Sequence, residues 1–253
     1  MIALRALIRI SFLEFLRDRI VWICFLVGVV LFGFSLILGS LSIQEQQRIM
    51  AHFGWMALQL SGLGIGLFLG ANWVHKEMDH QTCLLVLARP VSRAQFFLGK
   101  YLSVLSLLFM IELILAVFLF GLLRFKMSPV FFLQVFVGTF LEVALIFSLT
   151  FFAATFLRPA MAFLWGVGFF LMGHWMQEVE FFGQKTGSAF YFSLGKGVSW
   201  FCPNLYQMNW RTVYFLEHGV SETQVLWVLF HSLGWLLLTA VAGILIFRRK
   251  DLV

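Results

Sequence analysis

Two carboxylates, Glu112 and Glu142, fall inside apolar stretches long enough to be membrane helices. A charge at mid-bilayer costs roughly 2.5 to 3.5 kcal/mol on insertion scales, so such residues face a bundle interior, a cavity or a polar partner. Two kinds of chemistry fit them. One is a proton or cation relay; the other, favoured here, is a pair of protonated carboxyls that hydrogen-bond helices or dimer halves together. Neither has a cationic mate in its own helix, and Gln59, Ser61, Gln134, Thr139, Ser148 and Thr150 are the candidate neutral partners.

No catalytic constellation accompanies the two acids. Gly99-Lys100 and Gly195-Lys196 lack the upstream Gly and the following Ser or Thr of a phosphate-binding loop, so ATP is not expected to bind this chain through one. Ser-x-x-Lys, His-Glu-x-x-His and Gly-x-Ser-x-Gly signatures are absent. His174, Cys202 and His231, with ten Met in the chain, raise the question of copper. Their spacing matches no ligand motif, and structural roles are expected for all three. The reading is of a chain that is no enzyme and holds neither cofactor nor metal.

The elements that must position Glu112 and Glu142 are membrane helices. The 253 residues are 61% hydrophobic and 12% charged, with a mean hydropathy of +0.94, whereas about a quarter of a soluble domain is charged. Stretches of about 20 apolar residues suffice to cross a bilayer as helix. Six can be drawn: 20–41, 54–75, 101–122, 130–157, 160–175 and 225–247. Arg158-Pro159 parts the fourth from the short fifth, because Pro lacks the amide donor and restricts the residue before it. With the N-terminus inside, twelve cations fall on the cytoplasmic side: Arg5, Arg9, Arg17, Arg19, Lys76, Arg89, Arg93, Lys100, Arg158, Arg248, Arg249 and Lys250. Six fall outside: Arg48, Arg124, Lys126, Lys185, Lys196 and Arg211. That bias predicts a multi-pass protein of the cytoplasmic (inner) membrane with both termini cytoplasmic. The net charge of +6 is then a topology signal and an attraction to anionic lipid, with no nucleic-acid partner expected.

Residues 1–19 read as an interfacial amphipathic helix, with Leu4, Leu7, Ile8, Phe12 and Phe15 on one side and Arg5 and Arg9 turned away. Glu14 and Asp18 fall near the apolar side, where they could face a partner protein. They also argue, with the long apolar run that follows, against a cleavable signal peptide. Cys24, Cys83 and Cys202 lie in three different compartments on this topology, so no disulfide within the chain is expected. Gly62, Gly66 and Gly70 share one face of the second span and predict close helix packing, with a bendable pore-lining helix as the alternative. Residues 176–220 form an aromatic extracytoplasmic segment, read as short helices or re-entrant turns that rest on the bundle and cap a path. Ser221 with Gln224 has the spacing of a capping box at the start of the last span. No linker or repeat divides the chain, so 1–253 reads as one membrane domain.

Residues 76–100 form the most informative loop. A charged start at Lys76-Glu77 leads to an apolar run, 84–87, too brief to span a bilayer, and then to an Arg89-Pro90 stop. Ser92 with Gln95 has capping-box spacing, and Val91 with Phe96 that of a hydrophobic staple, so a helix starts firmly beyond the loop. In this order Glu77, Thr82, Leu84, Leu85, Pro90, Val91, Ser92, Arg93, Gly99 and Lys100 resemble the ABC-2 type permease family, the membrane subunits of ATP-driven exporters. Cys202-Pro203-Asn204-Leu205 and the terminal Phe247-Arg248-Arg249-Lys250-Asp251-Leu252 resemble it too. The resemblance implies an all-α integral membrane protein of six transmembrane helices with an N-terminal interfacial helix, like type V exporters. It implies that Glu77, Thr82, Leu84, Leu85, Arg89, Pro90, Ser92 and Arg93 contact a cytoplasmic ABC ATPase subunit, which would hold the ATP and Mg. It implies a second permease copy as homodimer or related heterodimer, with additional assembly subunits left open. Two other classes stay open: an ion-coupled secondary transporter that uses Glu112 and Glu142, and a non-transporting membrane scaffold that recruits an ATPase.

Overall fold

The computed structural model describes residues 2–41, 45–79, 92–123, 128–187, 189–211 and 220–249. Among them all regular structure is helical: α1 (Ile2–Leu16), α2 (Arg19–Ser40), α3 (Gln46–Asp79), α4 (Arg93–Leu122), α5 (Pro129–Ala153), α6 (Pro159–Thr186), α7 (Ala189–Phe201), a 3-10 turn (Leu205–Met208) and α8 (Glu222–Arg249). Six of these helices contain stretches long and apolar enough to cross a membrane, and they coincide with the six spans drawn from the sequence. The protein is an all-α integral membrane protein.

Local chemistry sets the helix ends. Asp18 caps α2 by accepting from the amide of Ile20 at 3.1 Å. The capping box expected before α4 is present. Ser92 Oγ accepts from the amide of Gln95 at 3.2 Å, and Gln95 Oε1 from the amide of Ser92 at 3.0 Å. Val91, the other half of the expected staple, lies outside the described residues. α5 and α6 each begin on a proline, Pro129 and Pro159, where the missing N–H costs nothing because the first turn has no acceptor for it.

Some helix boundaries differ from expectation. α5 ends at Ala153, short of 157. The fifth span is short as expected, Pro159–Met176, but its helix is longer: α6 continues beyond the apolar stretch through Gln184, Lys185 and Thr186, and stops at Gly187, whose φ of 63° is the left-handed cap that glycine adopts freely. Residues 176–186, expected to begin a segment of short helices or re-entrant turns, instead prolong α6. α3 likewise begins at Gln46, because its first turns are good helix formers too polar to register as an apolar span.

α3, α4 and α5 form the buried centre, while α2, α6 and α8 lie outside. The outer helices turn Trp22, Leu26, Leu164, Phe230 and Leu237 away from the protein, as a surface in contact with hydrocarbon requires. The glycine face of α3 lets the centre close. A Cβ on Gly66 would stand 3.1 Å from Cβ of Phe147, and one on Gly70 3.3 Å from the amide nitrogen of Phe151, so α3 and α5 meet nearly backbone to backbone. Close packing, the expected role, is what the face does.

Gly66→Val should lower stability in detergent by about 1 to 3 kcal/mol, the usual cost of overpacking a filled core. Gly33, whose Cβ would meet nothing within 4 Å, is the control. Gly33→Ala should leave the thermal midpoint unchanged or raise it.

Candidate functional site

At the end of the bundle that carries α1, three helices share one ammonium group. Lys100, on the first turns of α4, is almost fully buried and lies 2.7 Å from Glu14 of α1. It also pairs with Glu77 near the end of α3. Its Nζ stands 5.2 Å from the ring centre of Phe15 and 6.0 Å from that of Phe96, so aromatic faces complete its surroundings. Beside it Lys76 bonds Asp18 at 2.8 Å. Glu14 and Asp18, which could have faced a partner protein, thus face α4 and α3 of their own chain.

Backbone contacts tighten the same joint. Ser103 donates to the carbonyl of Ile8 at 3.0 Å, and a Cβ on Gly99 would stand 3.2 Å from Cβ of Leu7, so α1 lies flush on α4. Arg93 Nη1 donates to the carbonyl of Arg248 at 3.0 Å, which ties the start of α4 to the end of α8. Under this layer Trp73 stacks on Phe151, ring centres 4.2 Å apart, and its indole donates to the Phe151 carbonyl at 3.1 Å. Phe97 and Phe247 pack on the same pair.

The structure therefore places Glu77, Ser92 and Arg93 at the two ends of the loop, each in a structural bond. Glu77 is 6% exposed, so it holds the loop's base rather than projecting from it. Thr82, Leu84, Leu85, Arg89 and Pro90 lie outside the described residues, as does Cys83.

The second group of functional candidates lies deep in the bundle. Gln59 of α3 donates to Glu142 of α5 and accepts from Arg211. Glu142 is 0% exposed; Arg211 Nη2 stands 3.9 Å from its Oε2, and His174 Nε2 of α6 stands 3.3 Å from its Oε1. Burial pushes the Arg211 guanidinium's pKa down and Glu142 opposes that shift, but a guanidinium remains charged. Glu112 abuts α3 one turn further on, where Gly62 leaves room for its carboxyl. Among the described residues neither of its oxygens has a hydrogen-bond partner. Of the six candidate neutral partners only Gln59 reaches a carboxylate. Ser61 bonds the carbonyl of Cys24, Gln134 that of Val220, Thr139 that of Val135 and Thr150 that of Ile146, while Ser148 bonds Tyr101 and Thr239.

Arg211, counted from the sequence among the cations of the outer loops, reaches into the bundle instead. Its segment does not merely rest on the bundle. Leu205 and Met208 are 0% exposed; Leu205 packs against Gly173 of α6 and Trp210 against Gly138 of α5, so 202–211 is inserted between helices. The available signal was the cost of an intramembrane carboxylate, which calls for a cation somewhere. His231 accepts from the amide of Asn204 at 3.4 Å, and Cys202 lies 3.7 Å from the Phe169 carbonyl, so neither joins His174.

Six apolar spans, a polar cluster at mid-bundle and an ion-paired joint where a loop leaves the bundle define a multi-pass membrane protein. A family model described as ABC-2 family transporter protein matches residues 7–176, and the chain belongs to that family. The match runs from α1 through the apolar part of α6, and so takes in the loop, Glu112, Glu142 and His174 but not Arg211. No curated protein matches the chain.

Lys100→Met takes from the buried Glu77 the ammonium it pairs with and should cost about 3 to 5 kcal/mol, whereas Lys100→Met with Glu77→Met should recover most of that. Thermal unfolding of the purified protein reads both. A second expectation concerns Cys202, whose thiol is pushed up to about 11 by burial. At pH 8 it should alkylate on the order of 100-fold more slowly than a free thiol of pKa about 8.5, because the thiolate is the nucleophile. The gap should narrow as pH rises toward 11 and vanish on unfolding; a variant with Cys24 and Cys83 replaced by Ser isolates the signal.

Proposed function

We propose that the chain is the permease half of an ABC exporter. Two copies assemble with two separate ATPase subunits, which bind ATP and Mg and drive cargo outward across the cytoplasmic membrane. Both termini and the loop 76–100 lie on the cytoplasmic side, and that loop receives the ATPase. The observation that carries this reading, beyond membership of the family, is the joint at the loop's base. A loop that transmits force needs ends that do not yield. Here one end leaves α3 beside the Glu77–Lys100–Glu14 group, and the other enters α4 through a capping box and an arginine bonded to α8.

Glu77 on this view positions the loop through Lys100, and the residues that touch the ATPase are Thr82, Leu84, Leu85, Arg89 and Pro90, with Arg93 at the margin. The inserted segment 202–211 closes the opposite end of the path, with Arg211 as its fastening to Glu142. Glu112, whose carboxyl has no hydrogen-bond partner among the described residues, favours a second reading, in which an ion gradient drives transport.

Leu84→Asp with Leu85→Asp should leave the thermal midpoint unchanged and abolish both co-purification of the ATPase and ATP-dependent export. Glu77→Arg is the wrong probe, because it sets two cations together at a buried site and so confuses unfolding with uncoupling. Export that persists in the loop variant and stops when the proton gradient is collapsed would establish the gradient-driven reading instead.

A further inference from the structure

The acids of α1 turn inward, and the arginines are left outside. Glu14 pairs with Lys100 and Asp18 with Lys76. On the outward side Arg5, Arg9, Arg17 and Arg19 are exposed, and none of them enters an ion pair among the described residues. At about 3.6 residues per turn, Arg5, Arg9 and Leu13 succeed one another along one stripe of α1, and Arg17 follows in the turn just past its end. Ile10 lies beside it, and Ile10 and Leu13 are 64% and 45% exposed. Such a face offers both cations and apolar side chains to one occupant.

The occupant follows from what adjoins the face. Directly after Arg19, α2 turns Trp22, Ile23 and Leu26 outward, 57%, 60% and 62% exposed, at the start of its span. Trp22 donates to the carbonyl of Leu16 at 3.0 Å and so joins the end of α1 to that surface. The arginine stripe therefore begins where the hydrocarbon-facing surface stops, at headgroup depth, where Trp is also at home. A bilayer meets both surfaces at once.

We propose that the outward face of α1 is a binding site for anionic phospholipid headgroups, with Arg5, Arg9 and Arg17 on the phosphates and Ile10 and Leu13 in the upper acyl layer. The site does not depend on the transport reading, because it needs neither ATPase nor cargo. Each arginine near an anionic surface strengthens the contact roughly fivefold, an effect that salt weakens.

The test uses the full-length protein in nanodiscs of phosphatidylcholine and phosphatidylglycerol, with chain-spin-labelled lipids of each kind reporting the lipid immobilised at the protein. Wild type should prefer phosphatidylglycerol several-fold, and roughly 0.5 M salt should remove most of that preference. Arg5→Gln with Arg9→Gln and Arg17→Gln should at least halve it, while the corresponding three Lys substitutions keep it. No preference in wild type, or an unchanged one in the Gln variant, overturns the site. So does loss of the preference on adding millimolar inorganic phosphate, which would point to a free-anion site. Should the Gln variant fail to fold, the salt titration of wild type decides: a preference insensitive to salt overturns the proposal.

Discussion

A single ammonium group, that of Lys100, joins three helices that the membrane would otherwise leave free to slide. Between helices in lipid there is no hydrophobic drive to associate, since hydrocarbon is as apolar as leucine. Position must come from close packing and from polar contacts that cannot be exchanged for water. Lys100 is almost fully buried, and its partners belong to α1 and α3. If it is removed, Glu77 loses that pairing at a site nearly closed to solvent, which is costlier than the loss of an exposed pair. Its neighbours depend on it in turn. Lys76 and Asp18 meet only if α1 lies along the end of α3, and the flush contact of Leu7 on Gly99 requires the same pose.

The two polar groups differ in kind, and the difference follows from depth. Near the α1 end the outer members of the pairs, Glu14 and Lys76, retain some contact with solvent, while Lys100 and Glu77 between them are nearly closed to it. At mid-bundle Glu142 has none, and it is met by Gln59, His174 and Arg211 from three other parts of the chain. The aromatic stack of Trp73, Phe97, Phe151 and Phe247 fills the level between the joint and that cluster, while glycines bring α3 against α5. The joint and the cluster are therefore linked by continuous close packing.

What the sequence made legible was whatever depends on nearest neighbours along the chain. The six spans follow from runs of apolar residues, the start of α4 from Ser92 and Gln95, and the break before α6 from Arg158-Pro159. The α3 glycines announced close packing because a missing side chain means the same thing in any partner's presence. Pairings across the bundle were not legible. Glu14 and Lys100 are 86 positions apart, and Gln59 and Arg211 are 152 apart. Nothing local distinguishes an arginine that enters a bundle from one that stays in water. Only the count of buried charges does, and the sequence does not show which charges are buried.

Arg211 shows how that count constrains the fold. A carboxylate at Glu142 would be prohibitive alone, so the segment 202–211 must stay inserted for as long as Glu142 is charged, and its insertion needs the small residues Gly138 and Gly173 to make room. The converse also holds. Were the segment withdrawn, Gln59 could still hydrogen-bond Glu142, but no cation among the described residues would remain beside it except a protonated His174. The balance of charge at the cluster thus rests on the place of the segment between α5 and α6, which no residue local to Glu142 in the sequence could supply.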